Sequence, residues 1–157
     1  MQRIFISSVQ KEFAVERLAL ADYLRTDPLL RRFFDPFLFE ELPASDQQTS
    51  TAYLAQVASC DIYLGLFGDS YGFEDAQGVS PTEHEFNCAT DAHKARLIYV
   101  KGETDHGKHP KMQVLIQHAS HQVIRRRLCK QRQPAPGGLC LFGGLPASAR
   151  TAALYAV

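Results

Sequence analysis

The chain has 157 residues, 45% of them hydrophobic and 22% charged, the composition of one globular domain with a core of its own. No window approaches the 18 or so apolar residues of a membrane span. The start, Met1-Gln2-Arg3-Ile4-Phe5-Ile6-Ser7-Ser8, turns polar too early for a signal peptide.

The elements alternate along the chain. Ile4–Ile6 is a short apolar run before Ser7-Ser8, as a buried parallel strand would be. Val9 to Thr26 reads as a helix, with Val9, Phe13, Leu20 and Leu24 on one stripe, Arg17 and Ala21 at its edge, and Asp27-Pro28 as its stop. Phe33 to Phe39 is β-prone but interrupted by Pro36, so it reads as an irregular or edge strand. A polar loop from Glu40 to Gln48 leads to a helix over Thr49–Ser59, with Tyr53, Leu54, Val57 and Ala58 inward. Ile62–Phe67 is apolar without alternation and predicts a central strand.

A Gly/Asp loop, Asp69 to Val79, precedes Ser80-Pro81-Thr82-Glu83, a capping box that opens a helix running to about Ala95. Leu97–Val100 is the next buried strand, Gly102 to His109 a loop, and Pro110 opens a helix with the stripe Met112, Leu115, Ile116, Ala119 and Val123. This order calls for a parallel sheet with helices on both faces. Residues 1–127 form that domain; residues 128–157 form an irregular tail.

The net charge of zero hides a split. All 17 acids lie at or before Asp105 with 9 basic residues, leaving −8; the rest carries 8 basic residues and no acid, +8. Arg125-Arg126-Arg127 reads as a phosphate-contacting patch for nucleic acid, or as a solvated helix end. The tail, crowded with Gly, Pro, Ala and Arg, resembles the output of a GC-rich gene read out of frame from near Leu128. Cys60, Cys88, Cys129 and Cys140 form no C-x-x-C pair, which argues against a zinc ribbon or disulfide scaffold and suits a cytoplasmic protein. His106, His109, His118 and His121 have no carboxylate or cysteine close by in sequence, so no metal site is expected.

In parallel α/β folds ligands bind outside the carboxyl ends of the strands. Ser7 and Ser8 stand there: one is the N-cap of the first helix, or both help that helix N-terminus hold an anion. Asp69 and Tyr71 either bind a ribose or base or build a glycine turn. Glu83 belongs to the capping box. Glu85 has no such duty; it is a surface glutamate, or a cleft-rim carboxylate that meets an oxocarbenium ion or attacks a sugar.

Ile4-Phe5-Ile6-Ser7-Ser8, Glu16-Arg17, Glu41 to Asp46, Cys60-Asp61-Ile62-Tyr63, Gly68-Asp69-Ser70-Tyr71-Gly72, Ser80-x-Thr82-Glu83-x-Glu85-Phe86 and His109-Pro110-Lys111-Met112 together resemble the bacterial domain of unknown function 4062. The resemblance spans about residues 2–127. It implies a flavodoxin-like, TIR-like domain, usually the N-terminal module of a larger regulatory, helicase-like or ATPase protein. Such domains are similar to nucleoside deoxyribosyltransferases, and Glu85 sits where their nucleophilic glutamate would be. Ser7, Ser8, Arg17, Asp69, Tyr71 and Thr82 are the candidate ligand contacts. Members ordinarily continue past the last helix with a short strand and a helix, a continuation this sequence does not show.

The first expectation is therefore a sensor or signalling module that binds a nucleotide-like ligand, a protein effector domain or a second copy. The alternative is an enzyme cleaving the N-glycosidic bond of a nucleoside or NAD, with no other cofactor implied. A nucleic-acid-binding accessory domain is the third.

Overall fold

The computed structural model describes residues 1–41 and 49–128. Part of the expected 40–48 loop and the tail from residue 129, with the change of frame expected there, lie outside the described residues. β1 (Gln2–Ser8) is buried over its last five residues. It is followed by α1 (Ala14–Thr26), β2 (Phe34–Phe37), α2 (Thr49–Ser59), β3 (Ile62–Phe67), α3 (Pro81–Asp91), β4 (Ala95–Lys101), α4 (Pro110–Ser120) and β5 (Arg125–Leu128). The five strands form one sheet in the order β2-β1-β3-β4-β5, and every pairing is parallel. This is the flavodoxin-like order, whose direction reverses at β1 and β3.

Right-handed crossovers then place α1 on one face and α2, α3 and α4 on the other. The core divides accordingly. Ile4, Ile6, Leu64 and Leu66 pack with Phe13, Ala21 and Leu24 of the α1 side. Phe5, Tyr63, Phe67, Ile98 and Val100 pack with Val57, Phe86, Ala89, Met112, Leu115 and Ile116. The helix stripe expected in α4 is buried as read, and Val123 packs beside it.

Five expectations need correction. The helix opened by the capping box ends at Asp91, not near Ala95: the backbone turns to a positive φ of 52° at His93, and Ala95 already begins β4. The first helix begins at Ala14, because the amides of Glu12 and Phe13 turn back onto the Val9 carbonyl. Ser7 and Ser8 therefore end β1 and cap nothing, and the buried stripe is Arg17, Ala21 and Leu24. Leu97 is 44% exposed and not buried, because it lines an apolar groove, shared with Leu20 and Leu24 of α1, that no described residue fills. Ala58 is exposed at the end of α2. The Arg125-Arg126-Arg127 run is a strand, β5, and not a helix end; it supplies the short strand that the sequence conceals behind three cations. Arg127 makes two bonds to Asp105, at 2.6 and 2.7 Å, and Arg125 lies 3.7 Å from the same carboxylate. The edge strand at β2 forms as expected, with Pro36 at the margin of the sheet.

Candidate active site at the carboxyl edge of the sheet

Successive side chains on a strand point to opposite faces. Ser7 and Ser8 therefore diverge from the end of β1. Ser7, on the side of Phe5, donates a short hydrogen bond to Glu85 Oε2 on α3. Ser8, on the side of Ile6, accepts from Arg17 Nη1 of α1 at 3.1 Å. One dipeptide thus engages both layers of helices at the point where strand order reverses.

Behind Ser7, Tyr63 of β3 donates to Ser7 Oγ at 2.9 Å, and its hydroxyl lies 3.5 Å from the Thr82 carbonyl. Gly65 is what lets the ring lie there: a Cβ would sit 3.0 Å from Tyr63 Cε1 and from Ile98 Cδ1. Tyr63 is fully buried, and burial followed by the charge of Glu85 holds its hydroxyl well above the usual tyrosine range.

Glu85 is 8% exposed. It reaches this position because α3 starts where Ser80 accepts from the Glu83 amide at 3.3 Å, with Pro81 in the first turn. Burial raises the Glu85 carboxyl from 4.5 to about 7, opposed by the Ser7 hydrogen bond and the Arg17 charge and reinforced by Glu40. Arg17, 2% exposed, forms a two-pronged pair with Glu40, Nε–Oε1 at 3.1 Å and Nη2–Oε2 at 2.6 Å. Burial pulls Glu40 upward, but Arg17 outweighs it and holds the carboxyl below its ordinary value.

Part of this cluster borders a cleft of about 1180 Å³. Ser8, Arg17, Thr82 and Glu85 line it together with Phe39 and Tyr53, whose rings meet edge to face at 6.0 Å. Asp69, Tyr71 and Lys101 line its other end. Of the sequence candidates, Ser7, Ser8, Arg17 and Glu85 thus converge on one cluster, and Thr82 adjoins it.

Asp69 and Tyr71 stand apart from that cluster and are already engaged. Asp69 Oδ1 pairs with Lys108 at 2.9 Å and Oδ2 with Lys101 at 2.9 Å. The Tyr71 hydroxyl donates to Glu83 and accepts from the Ser80 amide at 3.2 Å. The capping box is therefore closed through Tyr71: Glu83 reaches the Ser80 backbone by way of the tyrosine hydroxyl.

Sequence reading missed Tyr63, Glu40, Glu12, Lys101 and Lys108. Strand alternation was the available signal for Tyr63, two residues from Gly65 on one face of β3. No local pattern points to Glu12. Its carboxylate accepts from the amides of Asp69 and Ser70 at 2.8 and 3.0 Å and from Lys101 at 2.8 Å. Among the described residues, no group of three or more His, Cys, Asp and Glu is gathered as a metal site requires, and no helix is long and apolar enough to cross a membrane.

Among solved structures, the CMP N-glycosidase BcmB of Clostridium botulinum is similar in fold, with a TM-score of 0.50 and 13% identity over 83% of this chain and 90% of that one. No curated protein matches. The family described as "Domain of unknown function (DUF4062)" matches residues 3–135, and the chain belongs to that family.

Proposed function

We propose that the cleft binds a nucleoside or nucleotide and that Glu85 cleaves its N-glycosidic bond. The observation that carries this reading is a solitary carboxyl, buried at the switch point of the sheet, raised to about 7 and held through one oxygen by Ser7. Burial at a cleft wall strengthens the attraction between that carboxylate and positive charge developing on the sugar. In the reaction, the bond from C1′ to the base nitrogen breaks and its electron pair leaves with the base, which takes a proton from solvent. Glu85 Oε1 closes on C1′ as an ester. Water then opens the ester, yielding the free sugar and the carboxylate. Phe39 and Tyr53 supply flat apolar surface for the base.

The fold likeness to a CMP N-glycosidase makes CMP and cytidine the first compounds to test, with NAD beside them. Proton NMR of the purified chain with each compound reads the outcome directly. Release of free base or nicotinamide, abolished by Glu85→Gln, is the expected result. Line broadening without product would assign the same cleft to ligand sensing, the role of a signalling module.

A further inference from the structure

Glu85 is held in place by a line of hydroxyls. The fully buried Tyr63 hydroxyl donates to Ser7 Oγ at 2.9 Å, and Ser7 donates in turn to Glu85 Oε2. We propose that Tyr63 and Ser7 are positioning residues, a two-hydroxyl donor chain that favours the anionic carboxylate of Glu85 and aims its free oxygen into the cleft. This deepens the glycosidic reading above and rests on it for its catalytic meaning alone.

The chain has a direction. Ser7 has one proton, and with Tyr63 filling its acceptor side that proton is turned toward Glu85. Donation from Tyr63 also polarises the Ser7 hydroxyl, making it a stronger donor. The other groups around Glu85 act less directly. Arg17 of α1 favours the anion, but its guanidinium is committed to Glu40 and Ser8. Glu40, which follows β2, opposes the anion. Tyr53 of α2 and Cys88 on the same helix as Glu85 are both raised above their ordinary values, chiefly by burial and then in part by nearby acids. Among the described residues, Ser7 is the group that donates a hydrogen bond to Glu85.

The test is a titration of the Glu85 carboxyl carbon by carbon-13 NMR in the full chain with labelled glutamate, assigned by its loss in Glu85→Gln. Ser7→Ala should move the midpoint upward by about one pH unit, the size expected when a carboxylate loses a charge-assisted donor. Tyr63→Phe, which keeps the ring packing, should move it the same way by a smaller amount. Ser7→Thr, which retains the hydroxyl, should restore it. Where turnover is measured, the acid limb of kcat should shift with each midpoint, whereas a purely structural role would change stability and leave the limb in place. Unmoved midpoints in Ser7→Ala and Tyr63→Phe would overturn the donor chain; if Ser7→Ala does not fold, Tyr63→Phe decides alone. Shifted midpoints without any turnover would leave the chain standing and remove the glycosidic reading instead.

Discussion

Two acidic clusters lie at the same edge of the sheet and treat their carboxylates in opposite ways. At the β3–β4 end, Glu12 and Asp69 are bound by Lys101 and Lys108 and by backbone amides. Burial pulls Glu12 upward, but the Asp69 amide, Lys101 and the Ser70 amide outweigh it, so Glu12 lies below its ordinary value. Lys101 and then Lys108 hold Asp69 low as well. At the β1–β3 end, Glu85 has hydroxyls for company and a cation shared with another acid, and it is raised. An acid matched by cations ties loops together; an acid stripped of water and left short of cations is available for chemistry. On the proposed reading, the cleft has a fastened end and a reactive end.

The largest expected effect would confirm or break that division. Glu85→Gln should lower turnover by about a thousandfold or more, as loss of a nucleophile commonly does, measured as base release under saturating substrate. Lys108→Met at the fastened end should leave turnover within a factor of about three. A comparable loss from both substitutions would erase the distinction between the two ends.

Stability against pH sharpens the comparison. Glu85 holds its proton more tightly in the folded chain than in the unfolded one, where 4.5 applies. Its effect is therefore neutral below about 4.5 and increasingly destabilising as the pH rises to about 7. The difference corresponds to roughly 3 kcal/mol. Glu85→Gln should accordingly raise stability at pH 8 and change it little at pH 4, read from urea unfolding at both values. Glu12 and Asp69 have the opposite sign. Their depressed folded values stabilise the chain above the ordinary carboxylate range, and that stability is lost as the pH falls through them. A loss of stability in Glu85→Gln at pH 8 would mean that Glu85 is braced like the acids of the fastened end.

Lys108→Met tests the fastened end directly. Its side chain is 1% exposed, and its ammonium donates to Asp69 Oδ1 and, at 2.6 Å, to the Lys101 carbonyl. Methionine keeps the stem and leaves that carbonyl without its donor. A cost of about 2 kcal/mol is expected for a part-buried charge-assisted bond, measured by denaturant midpoint at constant slope.

Sequence periodicity made most of the fold legible, because Ile4–Ile6, Ile62–Phe67 and the α4 stripe follow burial closely. It failed at β5, where Arg125, Arg126 and Arg127 occupy an edge strand. An edge strand is partly open to solvent, so long cations are tolerated, and their partner Asp105 lies in a loop that no local pattern links to them. The Ser7–Ser8 pair was placed correctly at the carboxyl end of its strand, but its N-cap reading fails, because strand alternation sends the two hydroxyls to opposite faces. Glu12 was invisible, since its partners come from the loop after β3 and from the end of β4. The arrangement also requires a glycine after β3, because a Cβ at Gly68 would overlap the Glu12 carboxylate.

The smallest effect separates Glu85 from its neighbour two residues earlier. Glu83 lies in the first turn of α3 and accepts from the Tyr71 hydroxyl, which in turn accepts from the Ser80 amide. Ser80 itself accepts from the Glu83 amide. Cutting this ring at either end removes one capping interaction and leaves the Glu85 pocket intact. Ser80→Ala and Glu83→Ala should each cost about 1 kcal/mol, the ordinary value for an N-cap. The double substitution should cost less than the sum of the two, because both cuts open the same ring. Strict additivity in denaturant unfolding would show that Tyr71 does not couple the two residues. A change in the Glu85 carboxyl midpoint in either variant would show that the cap and the reactive end are not independent, and that the first turn of α3 helps to aim the carboxylate two residues further on.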